Sequence, residues 1–99
     1  MESPSVPAEL LALRGDIDAI DAQILTGLAQ RFALTLRVGE LKATMALEPF
    51  DGKREAEKLA RLRELAAEHG LSAELTDDLF SRIMREAVDN HKKLRAQRG

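Results

Sequence analysis

The sequence has no Cys, Trp or Tyr, and only three Phe in 99 residues. Without Cys there are no disulfides, no thiolate zinc sites and no Cys nucleophile. Pro is also scarce, at three residues, and β-branched residues are too sparse to favour strands. The longest unbroken apolar run is Leu10 to Leu13, far short of the roughly 18–20 residues a membrane span needs. The opening Met-Glu-Ser-Pro-Ser has neither a basic n-region nor an apolar h-region, so no signal peptide is expected and the chain is placed in the cytoplasm. Neither sign of charge dominates. Fifteen Lys plus Arg against 17 Asp plus Glu leave a net charge of −2, which argues against nucleic acid, whose phosphates call for a basic face.

What is present is helix-forming. Pro4 and Pro7, then Pro49 and Gly52, then Gly70 divide three stretches rich in Ala, Leu, Glu and Arg. The reading is all-α, with one long and two shorter helices. The first runs from near Pro7 to about Met45, its stripe reading Leu10, Leu13, Ile17, Ile20, Ile24, Leu28, Leu34, Val38, Leu41 and Met45. Such a rod would be nearly 60 Å long at about 1.5 Å per residue. A compact chain of this size has a radius of gyration near 13 Å, so two short helices cannot cover the rod and a second chain is expected to. The second helix should start after Asp51, face inward with Leu59, Leu62 and Ala66, and stop at His69 before Gly70. The third should run from Ser72 to about Arg95 on a face of Leu75, Leu79, Phe80, Ile83, Met84, Ala87 and His91. Residues 1–6 and 96–99 are expected to fray around a single domain, 7–95, with a basic tail of Lys92, Lys93, Arg95 and Arg98.

Charges interrupt the first stripe. Arg31 stands one step beyond Leu28, and Lys42 lies eleven residues on, about 20° around the helix and roughly 16 Å along it. Arg14 sits beside Leu13 and Ile17. Each could snorkel, with its stem buried and its head in water. Three cations on or beside one seam, with little acidic compensation, instead suit a bound anion. Arg14 and Arg31 are separated by about 25 Å along one helix, so a shared small ligand requires two antiparallel chains. The start of the second helix carries Asp51, Lys53, Arg54 and Glu55, either a cap with ordinary first-turn charges or a pocket mouth. Periodicity leaves His91 open between a core residue and a catalytic one.

These residues together resemble the all-helical (AroQ-type) chorismate mutases, over roughly Leu10 to His91. The resemblance rests on Leu-Ala-Leu-Arg-Gly-Asp-Ile-Asp-Ala-Ile-Asp (11–21), Leu-Ala-Gln-Arg-Phe (28–32), Val-Gly-Glu-Leu-Lys (38–42) and Asp-Gly-Lys-Arg-Glu-Ala-Glu (51–57). It implies an intertwined homodimer of three-helix chains that converts chorismate to prephenate, on the route to Phe and Tyr, without cofactor or metal. It also implies that Arg14 from the opposite chain and Arg31 from the home chain hold substrate carboxylates, and that Lys42 bonds the ether oxygen. Arg54 would support the carboxylate network, with Asp51 and Glu55 at the ring hydroxyl.

Two positions depart from the family pattern. Ala87 stands where many members carry a carboxylate-binding Ser, and His91 where many carry Gln or Glu as second donor to the ether oxygen. His91 is expected to replace that donor and to favour mildly acidic pH. The same fold also serves isochorismate-pyruvate lyases and mutases of 4-amino-4-deoxychorismate. A non-catalytic helical dimer that regulates a shikimate-pathway enzyme is the reading from another class.

Overall fold

The computed structural model describes residues 6–48 and 50–98. It contains three helices, α1 (Ala8–Thr44), α2 (Gly52–Glu68) and α3 (Ala73–Arg98). The chain divides into two compact units, Met1–Ala33 and Leu34–Gly99, so the boundary falls inside α1. The frayed N-terminus expected at 1–6 lies, apart from Val6, outside the described residues.

In the first unit, Pro7 precedes α1, and its carbonyl accepts the Leu11 N–H at 3.2 Å. The apolar stripe of this unit stays in solvent. Leu10, Leu13, Ile17, Ile20 and Ile24 are between 38% and 59% exposed. Covering five such half-exposed side chains would contribute roughly 4–8 kcal/mol, comparable to the whole stability of a small domain.

In the second unit, α2 and α3 pack on each other. Asp51 caps α2 from an extended conformation, its Oδ1 accepting the Arg54 N–H at 3.1 Å. Ser72 caps α3 in the same way through the Leu75 N–H, at 3.2 Å. The buried apolar residues are Ala66, Met84 and Ala87, with Leu59, Leu62, Phe80 and Ile83 half-buried around them. Leu75 and Leu79, expected on this face, are exposed. At 100° per residue they lie about 120° and 80° around α3 from Ala87, beyond the strip that α2 covers. Thr76 takes the inward place instead, its hydroxyl donating to the Ser72 carbonyl at 2.9 Å. Arg63 Nε reaches Asp77 Oδ1 at 2.7 Å and ties α2 to α3. The hydrogen bond, then the charge of Asp77, raise the Arg63 pKa. On an exposed surface such a pair sets orientation more than stability.

Two helices end in the same motif with different residues. After α2, Gly70 adopts φ 68°, the Gly70 N–H donates to Ala67 O and the Leu71 N–H to Ala66 O. After α1, Ala46 adopts φ 57°, the Ala46 N–H donates to Ala43 O at 3.2 Å and the Leu47 N–H to Lys42 O at 2.8 Å. Both are Schellman caps. A left-handed alanine costs about 1–2 kcal/mol that a glycine does not, so the end of α1 requires an outside support. Arg95 supplies it from α3. Its Nη2 donates to the carbonyls of Lys42, at 3.4 Å, and of Leu47. Helix α3 accordingly runs to Arg98 rather than ending near Arg95, through Leu94, Arg95, Ala96 and Gln97, all good helix formers.

Candidate active site

The second unit brings one stretch of α1 against the last turns of α3. Thr35, Gly39 and Lys42 stand at i, i+4 and i+7, the spacing of one helical face. His91 and Arg95, one turn apart on α3, meet that stretch in the same order. The His91 ring is buried over Gly39, and its Nε2 lies 2.7 Å from Thr35 O. Gly39 makes this approach possible. A Cβ there would lie 2.9 Å from His91 Nε2 and 3.0 Å from Cγ, closer than real side chains sit. With the glycine, the imidazole comes close enough to the helix to reach the carbonyl one turn back.

This geometry fixes the proton. A carbonyl oxygen can only accept, so Nε2 carries hydrogen. His91 Nδ1 is then the remaining nitrogen, and it is buried with no hydrogen-bond partner. Buried polar atoms without a partner are rare, and each one marks strain or a place for a ligand. In the neutral ring Nδ1 accepts; in the imidazolium it donates.

The other expected site residues are placed as follows. Lys42 is half-buried in the last turn of α1, and its carbonyl carries the double load of the Leu47 N–H and the Arg95 guanidinium. Ala87 is buried, one turn before His91. Asp51 spends Oδ1 on the α2 cap, while Arg54 is exposed in the first turn. Glu55 is half-buried and lines a cavity of about 390 Å³ with Phe50, Ser81, Arg85, Val88, Asp89 and Lys92. His91, Lys42 and Arg95 are therefore brought onto one stretch of α1, and Glu55 faces a cavity at the start of α2. In the first unit, Arg14 is exposed. Arg31 is half-buried there, and its Nη1 is buried without a hydrogen-bond partner. A guanidinium nitrogen in that state is costly unless an anion meets it. No group of three or more His, Asp or Glu that could hold a metal occurs among the described residues.

Arg95, Gly39 and Thr35 were not singled out by their sequence. Arg95 had the look of a solvated basic tail; half-buried on two carbonyls, it is not one. Gly39 carried a signal, since a glycine inside a strongly periodic helix marks a close approach or a cost. Thr35 contributes only a backbone oxygen, which no side-chain pattern reveals.

Known proteins give this architecture a family. The model of chorismate mutase type II matches residues 13–92. The T-protein of Enterobacter agglomerans is 41% identical over 80 residues, covering 81% of this chain and 21% of that protein. The bifunctional chorismate mutase/prephenate dehydratase of Escherichia coli (strain K12) is 36% identical over 88 residues, 89% of this chain and 23% of that protein. The T-protein of Haemophilus influenzae is 33% identical over 81 residues, 82% of this chain and 22% of that one. The chain spans about a fifth of the length of these relatives. Its three helices define an all-helical fold. The chain belongs to the chorismate mutase type II family, the AroQ mutases.

Proposed function

We propose that this chain is a chorismate mutase, rearranging chorismate to prephenate in the biosynthesis of Phe and Tyr. The observation that carries the reading is the buried, unpartnered Arg31 Nη1, a cation held ready for an anion, on a chain with Arg14, Arg31, Lys42 and Arg54 where the resemblance implies substrate-binding cations. The substrate is a dicarboxylate. In the reaction one C–O bond breaks as one C–C bond forms within the same molecule, so no proton or group passes to the protein. The protein's part is to hold the enolpyruvyl side chain over the ring in its reactive conformer and to place fixed donors where charge develops.

Arg31 binds one carboxylate through its fork, and Arg14 of a second copy binds the other. The exposed stripe from Leu10 to Ile24 supports that second copy, because its burial would be worth as much as a domain's stability. Lys42 donates to the ether oxygen as a point charge. Arg54 steadies the carboxylate network, and Glu55, with Asp51 beside it, receives the ring hydroxyl. Residues 7–95 make up the mutase domain. No helix among the described residues is long and apolar enough to cross a membrane, and the enzyme is proposed to work in the cytoplasm. Purified protein offered chorismate, isochorismate and 4-amino-4-deoxychorismate separately tests the reading: prephenate from the first is expected, and pyruvate release from the second would point to the lyase.

His91 is the second donor to the ether oxygen, and the Thr35 contact sharpens how. With Nε2–H committed to Thr35 O, Nδ1 is the ring nitrogen left to face the substrate. His91→Gln, whose amide also donates, should keep more of kcat than His91→Ala. Full activity in His91→Ala contradicts the assignment.

A further inference from the structure

We propose that Arg95 is a positioning residue for Lys42: it clamps the end of α1 so that the ammonium is presented to the substrate from a fixed turn. This rests on the mutase reading. Three observations meet at one carbonyl. Lys42 O accepts the Leu47 N–H at 2.8 Å, closing the Schellman cap of α1. The residue that must turn left-handed for that bond to form is Ala46, at φ 57°, where the equivalent place after α2 holds Gly70. The Arg95 guanidinium then bridges Lys42 O and Leu47 O, the two carbonyls at either end of the cap.

The chain thus builds a tight turn from a residue that resists it, and holds it closed with a cation carried by another helix. A guanidinium suits the task. Its terminal Nη2 carries two hydrogens and donates to both carbonyls, and its charge complements the negative end of the helix dipole. The consequence is local and chemical. Lys42 belongs to the last turn of α1, the part of a helix that frays first. A flexible side chain on a fraying turn is a poor preorganised donor, whereas a donor that stabilises a transition state must be in place beforehand. Arg95 stands one turn beyond His91 on α3, so a single helix carries one donor to the reaction and fixes the backbone of the other.

The test uses the full chain and four proteins: wild type, Arg95→Met, Ala46→Gly and the double variant. Steady-state prephenate formation and amide hydrogen exchange at Leu47 are measured on each. In Arg95→Met, kcat falls about 10-fold or more, KM changes far less, and the Leu47 amide exchanges faster, while helix content by circular dichroism is retained. Ala46→Gly alone leaves kcat unchanged. In the double variant, glycine closes the cap unaided, so Leu47 protection and much of kcat return. Such rescue is not expected if Arg95 merely adds stability elsewhere. Unchanged kcat in Arg95→Met, or a loss of kcat that Ala46→Gly fails to relieve, overturns the proposal. If the wild type makes no prephenate, the mutase reading fails instead, and the Leu47 exchange still reports whether the clamp exists.

Discussion

Replacing Lys42 with Met is expected to lower kcat for prephenate formation by about 100- to 1,000-fold, the loss seen when one fixed donor to a developing oxyanion is removed. Met keeps the length and the apolar stem of Lys42, so packing along the last turn of α1 is preserved while the charge is lost. The ether oxygen of the substrate is a weak acceptor in the ground state and gains negative charge as its C–O bond stretches. In the proposed role the Lys42 interaction grows toward the transition state, and kcat and kcat/KM should fall together with little change in KM. Arg31 should behave differently, because the carboxylate it is proposed to hold carries full charge before and during the reaction. Its loss should appear in KM as well as in kcat. Steady-state kinetics on the two variants separate these patterns, and a Lys42→Met enzyme whose kcat stays within a few-fold of wild type contradicts the role given to it.

Gly39→Ala has the second largest expected effect, and it strikes His91 without touching a charged group. The new methyl carbon would sit 2.9 Å from Nε2 and 3.0 Å from Cγ of the buried ring. Overpacking of this kind costs about 1–3 kcal/mol, and the better helix propensity of Ala returns up to about 1 kcal/mol, so a net loss of roughly 1–2 kcal/mol is expected by denaturant unfolding. To relieve the clash the imidazole must leave the helix surface, which breaks its bond to Thr35 O and releases the tautomer. Activity should then fall to the level of His91→Ala. In the double variant Gly39→Ala/His91→Ala the clash has no partner, and stability recovers relative to the Gly39→Ala single variant. Additive losses in the double variant would show that the two residues do not act on each other.

Much of the helical framework was legible because its punctuation is local. Asp51 and Ser72 are capping residues that do cap α2 and α3, and Gly70 ends α2 in the left-handed region it alone adopts without cost. The end of α1 was legible only to within a residue or so, since Ala46 gives no sign that it will turn left-handed; the support comes from Arg95, 49 positions later. A tertiary contact overrides propensity there, and no pattern within α1 can announce it. The face of α3 was read too broadly for a related reason. Leu75 and Leu79 are apolar at near-helical spacing, but burial depends on how wide a strip a neighbour covers, and α2 covers a narrow one.

The candidate site was legible as charge out of place. Arg31 interrupts an apolar stripe, and its Nη1 is buried without a partner. Lys42 follows at a helical interval and is half-buried. His91 stood out as an imidazole on an apolar face, but its tautomer depends on a backbone oxygen of another helix. Asp51 shows the limit from the other side: capping and ligand binding use the same carboxylate, and sequence alone does not divide them.

The most direct test is prephenate formation from chorismate by the purified chain, with Arg31→Ala prepared and assayed beside it. The wild type is expected to turn chorismate over without added metal or cofactor. Arg31→Ala should lose most of that activity at unchanged helix content. A folded wild-type protein that neither consumes chorismate nor binds a chorismate-like dicarboxylate, or an Arg31→Ala variant as active as its parent, contradicts the account.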